Sequence, residues 1–261
     1  MSNMEFLYQN IINTTTLISV ASGTDTVSYL FDRKSSQQYQ SSGYNDDTKG
    51  VTLTMTYPSN YVIDRIVLEN INLKSFKVYY NSNTANTFTL LNAATTVSDW
   101  SSNSTTSLYL KFSPITVTVV TIAGTTTMAA NEEKKIGEWW ICKQRFELER
   151  NPDFMGFNPK LDRKEYIQEM SDGGTTIYAV GQNYSADIEL KYMSSSQTAL
   201  FLAMYNTYAP FVFVPFPTST SWTEEIYEVN WVGDYGFIKP AANNYSTVGY
   251  EGNLRLRETP K

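Results

Sequence analysis

Of the 261 residues, 41% are apolar, 14% aromatic and only 18% charged, so the core of one large or two medium domains has to be covered by a surface of Ser, Thr, Asn and Gln. The net charge of -6, with Lys and Arg scattered along the chain, excludes a basic footprint for a nucleic-acid backbone. The absence of histidine removes the commonest general base, the usual catalytic-triad partner and the commonest transition-metal ligand, so no catalytic residue, metal site or cofactor is expected.

The opening MSNMEFLYQNIINTTT has neither a cationic n-region nor an apolar h-region. No run reaches the roughly 18 apolar residues of a membrane span, which predicts a cytosolic chain with no span. Short strands separated by polar turns follow. Val51, Leu53 and Met55 alternate with threonines, YVIDRIVLEN comes next, and SFKVYYN sets Phe76, Val78 and Tyr80 on one face. SLYLKF places Leu108, Leu110 and Phe112 against Tyr109 and Lys111, and ITVTVVTI alternates Ile115, Val117 and Val119 with threonines. A hairpin turning at Ser113-Pro114 is predicted between them. GTTTMAANEEKK is a polar excursion, and IGEWWICKQRFELE returns to strand. Cys142, beside Trp139 and Trp140, has no partner for an intramolecular disulfide and reads as a buried, inert thiol. The adjacent acids Asp46-Asp47, Glu132-Glu133 and Glu224-Glu225 point to opposite faces if they lie in strands and are solvated charge if they lie in loops.

From Arg150 the character changes. NPDFMGFNPKLDRKEYIQEMSDGG has prolines, glycines and no sustained period, and reads as a long connection or an arm laid across a partner. YSADIELKYM then sets Tyr184, Ala186, Ile188, Leu190 and Tyr192 on one face. SSSQTALFLAMYNTYA has capping-box spacing at Ser194 and Gln197 and helical recurrence of Leu200, Phe201, Met204, Tyr205 and Tyr208. Phe211-Val212-Phe213-Val214 is apolar on both faces, so a strand here needs the helix on one side and a second sheet or a neighbouring subunit on the other. IYEVNWVGDYGF places Tyr227, Val229 and Trp231 on one side, and YEGNLRLRE turns Tyr250, Leu254 and Leu256 inward.

Two resemblances are carried by these residues. YLFDRKSSQQYQSSG, with Asp32 and Tyr39, then VTLTMTYPSNYVIDRIVLEN, then KKIGEWWICKQ, with Ile136 and Glu138 in an Ile-x-Glu pair, is similar to a discoidin-like, galactose-binding-type β-sandwich over residues 5–145. That resemblance implies sugar recognition by loops at one end. Arg33 stands where a small turn residue commonly follows the aspartate, which argues against the calcium that some members hold. Over 170–258, the order of amphipathic strand, short helix and PFVFVP-like strand resembles a module of tailed-bacteriophage tail proteins. The pairing of the two implies a tail-tip or baseplate component of the distal-tail or adaptor kind.

The expected fold is mainly β: a discoidin-like sandwich over 1–148, a linker or arm over 149–172, and a tail-tube-like β domain with helix 194–208 over 173–261. The expected function is structural and non-enzymatic. Copies form a ring, hexameric or trimeric, bind other phage tail proteins and reside in the virion tail after synthesis in the host cytoplasm. Trp222 and Phe216, large aromatics at a polar loop, are candidates for the subunit interface. The alternative is a module recognising a cell-surface carbohydrate, for which Tyr44 and Trp100 are candidate stacking rings.

Overall fold

The computed structural model describes residues 3–14, 17–34, 36–82, 84, 86–88, 101–171, 173–217, 225–238 and 249–259. The chain is mainly β. In order the elements are β1 (Glu5–Asn10), β2 (Ile18–Val20), β3 (Tyr39–Gln40), β4 (Val51–Glu69), β5 (Leu73–Tyr80), β6 (Leu108–Thr127), β7 (Lys135–Ile136), β8 (Glu138–Glu147), β9 (Phe157–Glu169), β10 (Thr175–Met193), α1 (Ser195–Tyr205), β11 (Phe211–Val214), β12 (Tyr227–Trp231) and β13 (Tyr250–Glu258). All pairings are antiparallel, and the main sheet runs β5-β6-β4-β8-β1-β11-β12-β13-β10-β9, with β2 on β4 and a separate β3-β7 pair.

The first half is built on two long strands. Val51, Leu53 and Met55 from the start of β4 and Ile63, Ile66 and Leu68 from its end face the same core, together with Leu110, Phe112, Val117 and Ile122 of β6. A strand that faces one core from both of its ends has to bend over it, and bulges make such corners. The register shifts between Thr56 and Tyr61 and between Ile63 and Arg65. This corrects the expected hairpin at Ser113-Pro114: β6 is one strand through both residues. Pro114 falls where Ile63 pairs with Ile115 but Arg65 with Lys111, so its missing N–H interrupts no ladder bond. Tyr109, which reads as outward from alternation, is buried, because this end of the sheet is covered on its other face too.

The second half packs β10 to β13, with Phe157 from the start of β9, around α1. Ser194 caps α1 by accepting a hydrogen bond from the Gln197 backbone N–H at 3.1 Å. The Gln197 side chain donates instead to Glu147 O at 2.9 Å, so the expected capping box is only half made. Phe201 and Met204 are buried, whereas Tyr208 lies past the helix at φ 50 and is exposed. In β10, Tyr184, Ala186, Ile188 and Leu190 point inward as expected, but the register shifts after Leu190 and Met193 takes the next inward place. Tyr192, at φ 60, is turned out.

The connection expected between the halves holds β9, which pairs along its whole length with β10. The halves are joined by β1, a strand that the reading of the sequence does not assign. Its Phe6 aligns with Phe146 of β8 on one side and with Phe213 of β11 on the other. That answers what covers β11. Phe211 and Phe213 pack with Phe6, Phe146 and Phe201 on the helix side, and Val212 and Val214 pack with Leu7, Val67, Tyr109 and Trp140 on the side of the first half.

Candidate functional site

Three places hold side chains beyond what the cores need. The first is the loop after β3, where Tyr44 is half-buried. Glu133 accepts hydrogen bonds from Ser41 Oγ at 2.6 Å, Gly43 N at 3.0 Å and Tyr44 N at 3.2 Å. Lys134, fully buried, donates from Nζ to the carbonyls of Tyr44 at 2.5 Å and Asp46 at 2.8 Å. Asp47 accepts from Thr127 N at 3.1 Å and Asn131 N at 3.3 Å. Burial alone would raise the Glu133 and Asp47 carboxyls, but these hydrogen bonds and the Lys134 ammonium hold both below their ordinary values. Glu133 and Asp47 thus differ from the solvated charge that the acid pairs suggest: they fasten the loop that carries the Tyr44 ring. An ammonium sits in the carbonyl cradle, and among the described residues no group of His, Cys, Asp and Glu is arranged to hold a metal ion.

The second place is the far end of the β9–β10 ribbon. Between Leu161 and Gln182 every described side chain is exposed except that of Thr176, which is intermediate. Ile167 pairs with Ile177 and Tyr166 with Tyr178, so one apolar rung lies on each face. These residues are 60%, 56%, 63% and 49% exposed. The turn is closed by Gly173 N to Met170 O at 2.9 Å, with Gly173 at φ 82, where an L side chain is disfavoured. At the ribbon's root, Phe157, Pro159, Leu161, Tyr184, Phe216 and Tyr227 line an open cleft of about 380 Å³. Tyr184 and Tyr227 stack there at 3.6 Å, and Phe216, 48% exposed, meets Phe157 edge-on at 5.3 Å. Burial pushes the Tyr184 and Tyr227 hydroxyls up, so both stay neutral.

Phe216 is therefore on an open apolar wall and Tyr44 on a fixed loop, and the two belong to different halves. Trp222 and Trp100 lie outside the described residues. The ribbon rungs escape a reading by period, but a signal for them exists: Tyr166-Ile167 and Ile177-Tyr178 mirror each other across SDGG, a hairpin turn sequence. Cys142 is buried, with its thiol directed to Tyr8 O at 3.5 Å, and is no reactive centre.

The third place is the junction around Arg33, where the guanidinium carbon lies 3.6 Å over the Trp140 ring. Arg33 adopts φ 64, the left-handed conformation usual for a small turn residue.

No family model matches the chain, and no curated protein matches it. Solved structures are similar over about half of it. Chitosan-binding module 1 of a chitosanase/glucanase from Paenibacillus sp. IK-5 is 16% identical, with a TM-score of 0.39, over 51% of this chain and 98% of that one. CpGH89CBM32-5 from Clostridium perfringens, in complex with GalNAc-β-1,3-galactose, is 12% identical, with a TM-score of 0.37, over 48% and 93%. A GH29 fucosidase from Ruminococcus gnavus, in complex with fucose, is 17% identical, with a TM-score of 0.37, over 52% and 27%.

Proposed function

We propose that the chain is a non-catalytic assembly subunit whose β9–β10 ribbon joins it to further copies in a closed ring, of the kind a phage tail tip or baseplate uses, while the sandwich half faces outward. The observation that carries this reading is the ribbon's pair of exposed rungs, Ile167–Ile177 and Tyr166–Tyr178, one on each face. A bare two-stranded ribbon is marginal in water, and monomers rarely present apolar groups on both faces of one. From Leu161 to Glu169 it extends about 30 Å at the rise of a strand. Its two strands and turn offer about 20 residues, the number one side of a standard interface uses. Phe216, on the cleft wall, belongs to the same contact surface. Light scattering on the purified chain should give a closed oligomer of three or six copies. The Ile167→Asp, Tyr178→Asp double variant should be a folded monomer whose melting temperature no longer depends on protein concentration. A wild-type chain that stays monomeric at high concentration overturns the reading.

A second reading, glycan recognition by the sandwich half, rests on Tyr44. A half-exposed ring on a loop fixed by Glu133 and Lys134 is preorganised for stacking on a sugar. The ligands to try are chitosan oligomers and GalNAc-β-1,3-galactose, which the similar modules were named for or solved with. Calorimetry should show saturable binding that Tyr44→Ala abolishes. Both readings hold together if the ring displays the sandwich, and each has its own variant.

A further inference from the structure

The Ile167–Ile177 rung and the cleft at the ribbon's root are two uncovered apolar surfaces on one chain. Leu161, 66% exposed, and Phe216 leave the cleft open to water, and its volume of about 380 Å³ has room for one cross-strand pair of large side chains. The rung cannot reach its own cleft. From Leu161–Tyr184 at the root to Ile167–Ile177 the ladder is continuous but for one register shift, and this stretch of strand holds the rung about 20 Å away. A bulge bends a ribbon without folding it back on itself. Charge also bears on what fills the cleft. With a side-chain period of two, Glu165 and Glu169 flank Ile167 on its own face. Glu165 is held by Arg163 at 2.8 Å, which leaves Glu169 as the charge beside the rung. In the cleft, Lys160 Nζ lies 3.4 Å from Asp187, but that carboxylate already has Arg255 at 2.8 Å, so Lys160 is free to meet an incoming acid. Glu225, the other charged residue of the cleft, repels Glu169 and so favours the orientation that brings it to Lys160.

We infer that the ribbon of each copy ends in the root cleft of the next, with Ile167 and Ile177 against Leu161, Phe216 and Tyr227 and with Glu169 beside Lys160; this rests on the assembly reading above and names the surface that the ribbon meets. The two sides of such a contact are different patches of the chain, a ribbon on one copy and a cleft on its neighbour. The contact is therefore head-to-tail. Any open row of copies keeps a free rung at one end and a free cleft at the other, and both are covered only when the row closes into a ring. A contact of ribbon on ribbon would instead join two copies and stop.

The test mixes two variants of the full chain and reads native mass, with circular dichroism melts to check that each is folded. Phe216→Asp blocks the cleft and keeps the ribbon, whereas the Ile167→Asp, Tyr178→Asp chain blocks the ribbon and keeps the cleft. Each alone should be a monomer. Mixed in equal amounts at high concentration, they should form one-to-one heterodimers, because one intact ribbon then meets one intact cleft. A mixture that stays monomeric, or a Phe216→Asp chain that assembles as the wild type does, overturns the cleft contact and leaves the ring reading standing. A monomeric wild type removes the ring reading and this contact with it. If Phe216→Asp does not fold, Lys160→Glu takes its place: it should weaken assembly, and Glu169→Lys added to the same chain should restore it. A double variant that assembles no better than Lys160→Glu overturns the proposal equally.

Discussion

Glu5 of β1 and Arg65 of β4 form a buried two-pronged ion pair, with Arg65 Nε 3.1 Å from Oε2 and Nη2 3.3 Å from Oε1. Tyr109 OH also donates to Glu5, and Lys111 Nζ lies 3.0 Å away. Burial would raise the Glu5 carboxyl, but Arg65, Tyr109 and Lys111 outweigh it and hold it down at about 2. An unfolded glutamate titrates near 4.5, so this stabilisation is full above that value and is lost as the pH falls towards 2. Urea melts should show the loss in acid, and Glu5→Gln should remove that part of the dependence. At neutral pH, Glu5→Ala should cost about 3 kcal/mol, because it removes the buried partner of Arg65 and leaves it the Asp64 carboxylate at 3.3 Å as counter-charge.

Phe213 is the second place where truncation should be severe. It is fully buried among Phe6, Phe157 and Tyr184. Phe213→Ala should destabilise by about 3–5 kcal/mol in chemical denaturation. Tyr208→Ala, in the adjoining turn, should stay within about 0.5 kcal/mol, since that ring is almost wholly exposed.

Lys134 makes a separate prediction about metal. Its ammonium already serves the carbonyls of Tyr44 and Asp46, so chelator and added calcium should both leave the melting temperature unchanged. Lys134→Met should cost about 1–3 kcal/mol through the carbonyls left unserved. Amide exchange should quicken across Tyr44 to Asp47 in that variant.

Limited proteolysis of unassembled chain should cut first in the ribbon, at Arg163 or Lys164, where the backbone pairs on one side only. The fragments should nevertheless stay together on gel filtration. The β1 pairings with β8 and β11 cross the junction without passing through the ribbon.

What could be read from the sequence follows from where each strand's partners lie. The inward faces of β5 and β13 show as alternation because one side meets core and the other is more open to water. Tyr109 breaks its own alternation because a second layer covers it, and single-residue pattern does not show the second layer. β9 shows no sustained period because, among the described residues, the ribbon between Leu161 and Gln182 is left exposed on both faces by the rest of the chain. Glu138 was readable as a position in an Ile-x-Glu pair, but its complete burial opposite Glu69 follows from the β4–β8 pairing, which the sequence does not show.

The place of β1 also fixes a timetable. Its residues leave the ribosome before those of β11, so Glu5 to Leu7 cannot complete their pairing until Val212 to Val214 have been made. The intervening sandwich can finish folding while one edge of β1 is still bare, a contact of very high sequence separation and correspondingly slow closure. During that wait Phe6 has neither Phe213 nor Phe201 to cover it. The newborn chain therefore passes through a stage with a sticky, incomplete seam, and its yield in a cell should depend on how quickly synthesis reaches β11 and on the chaperones that shield the seam until then.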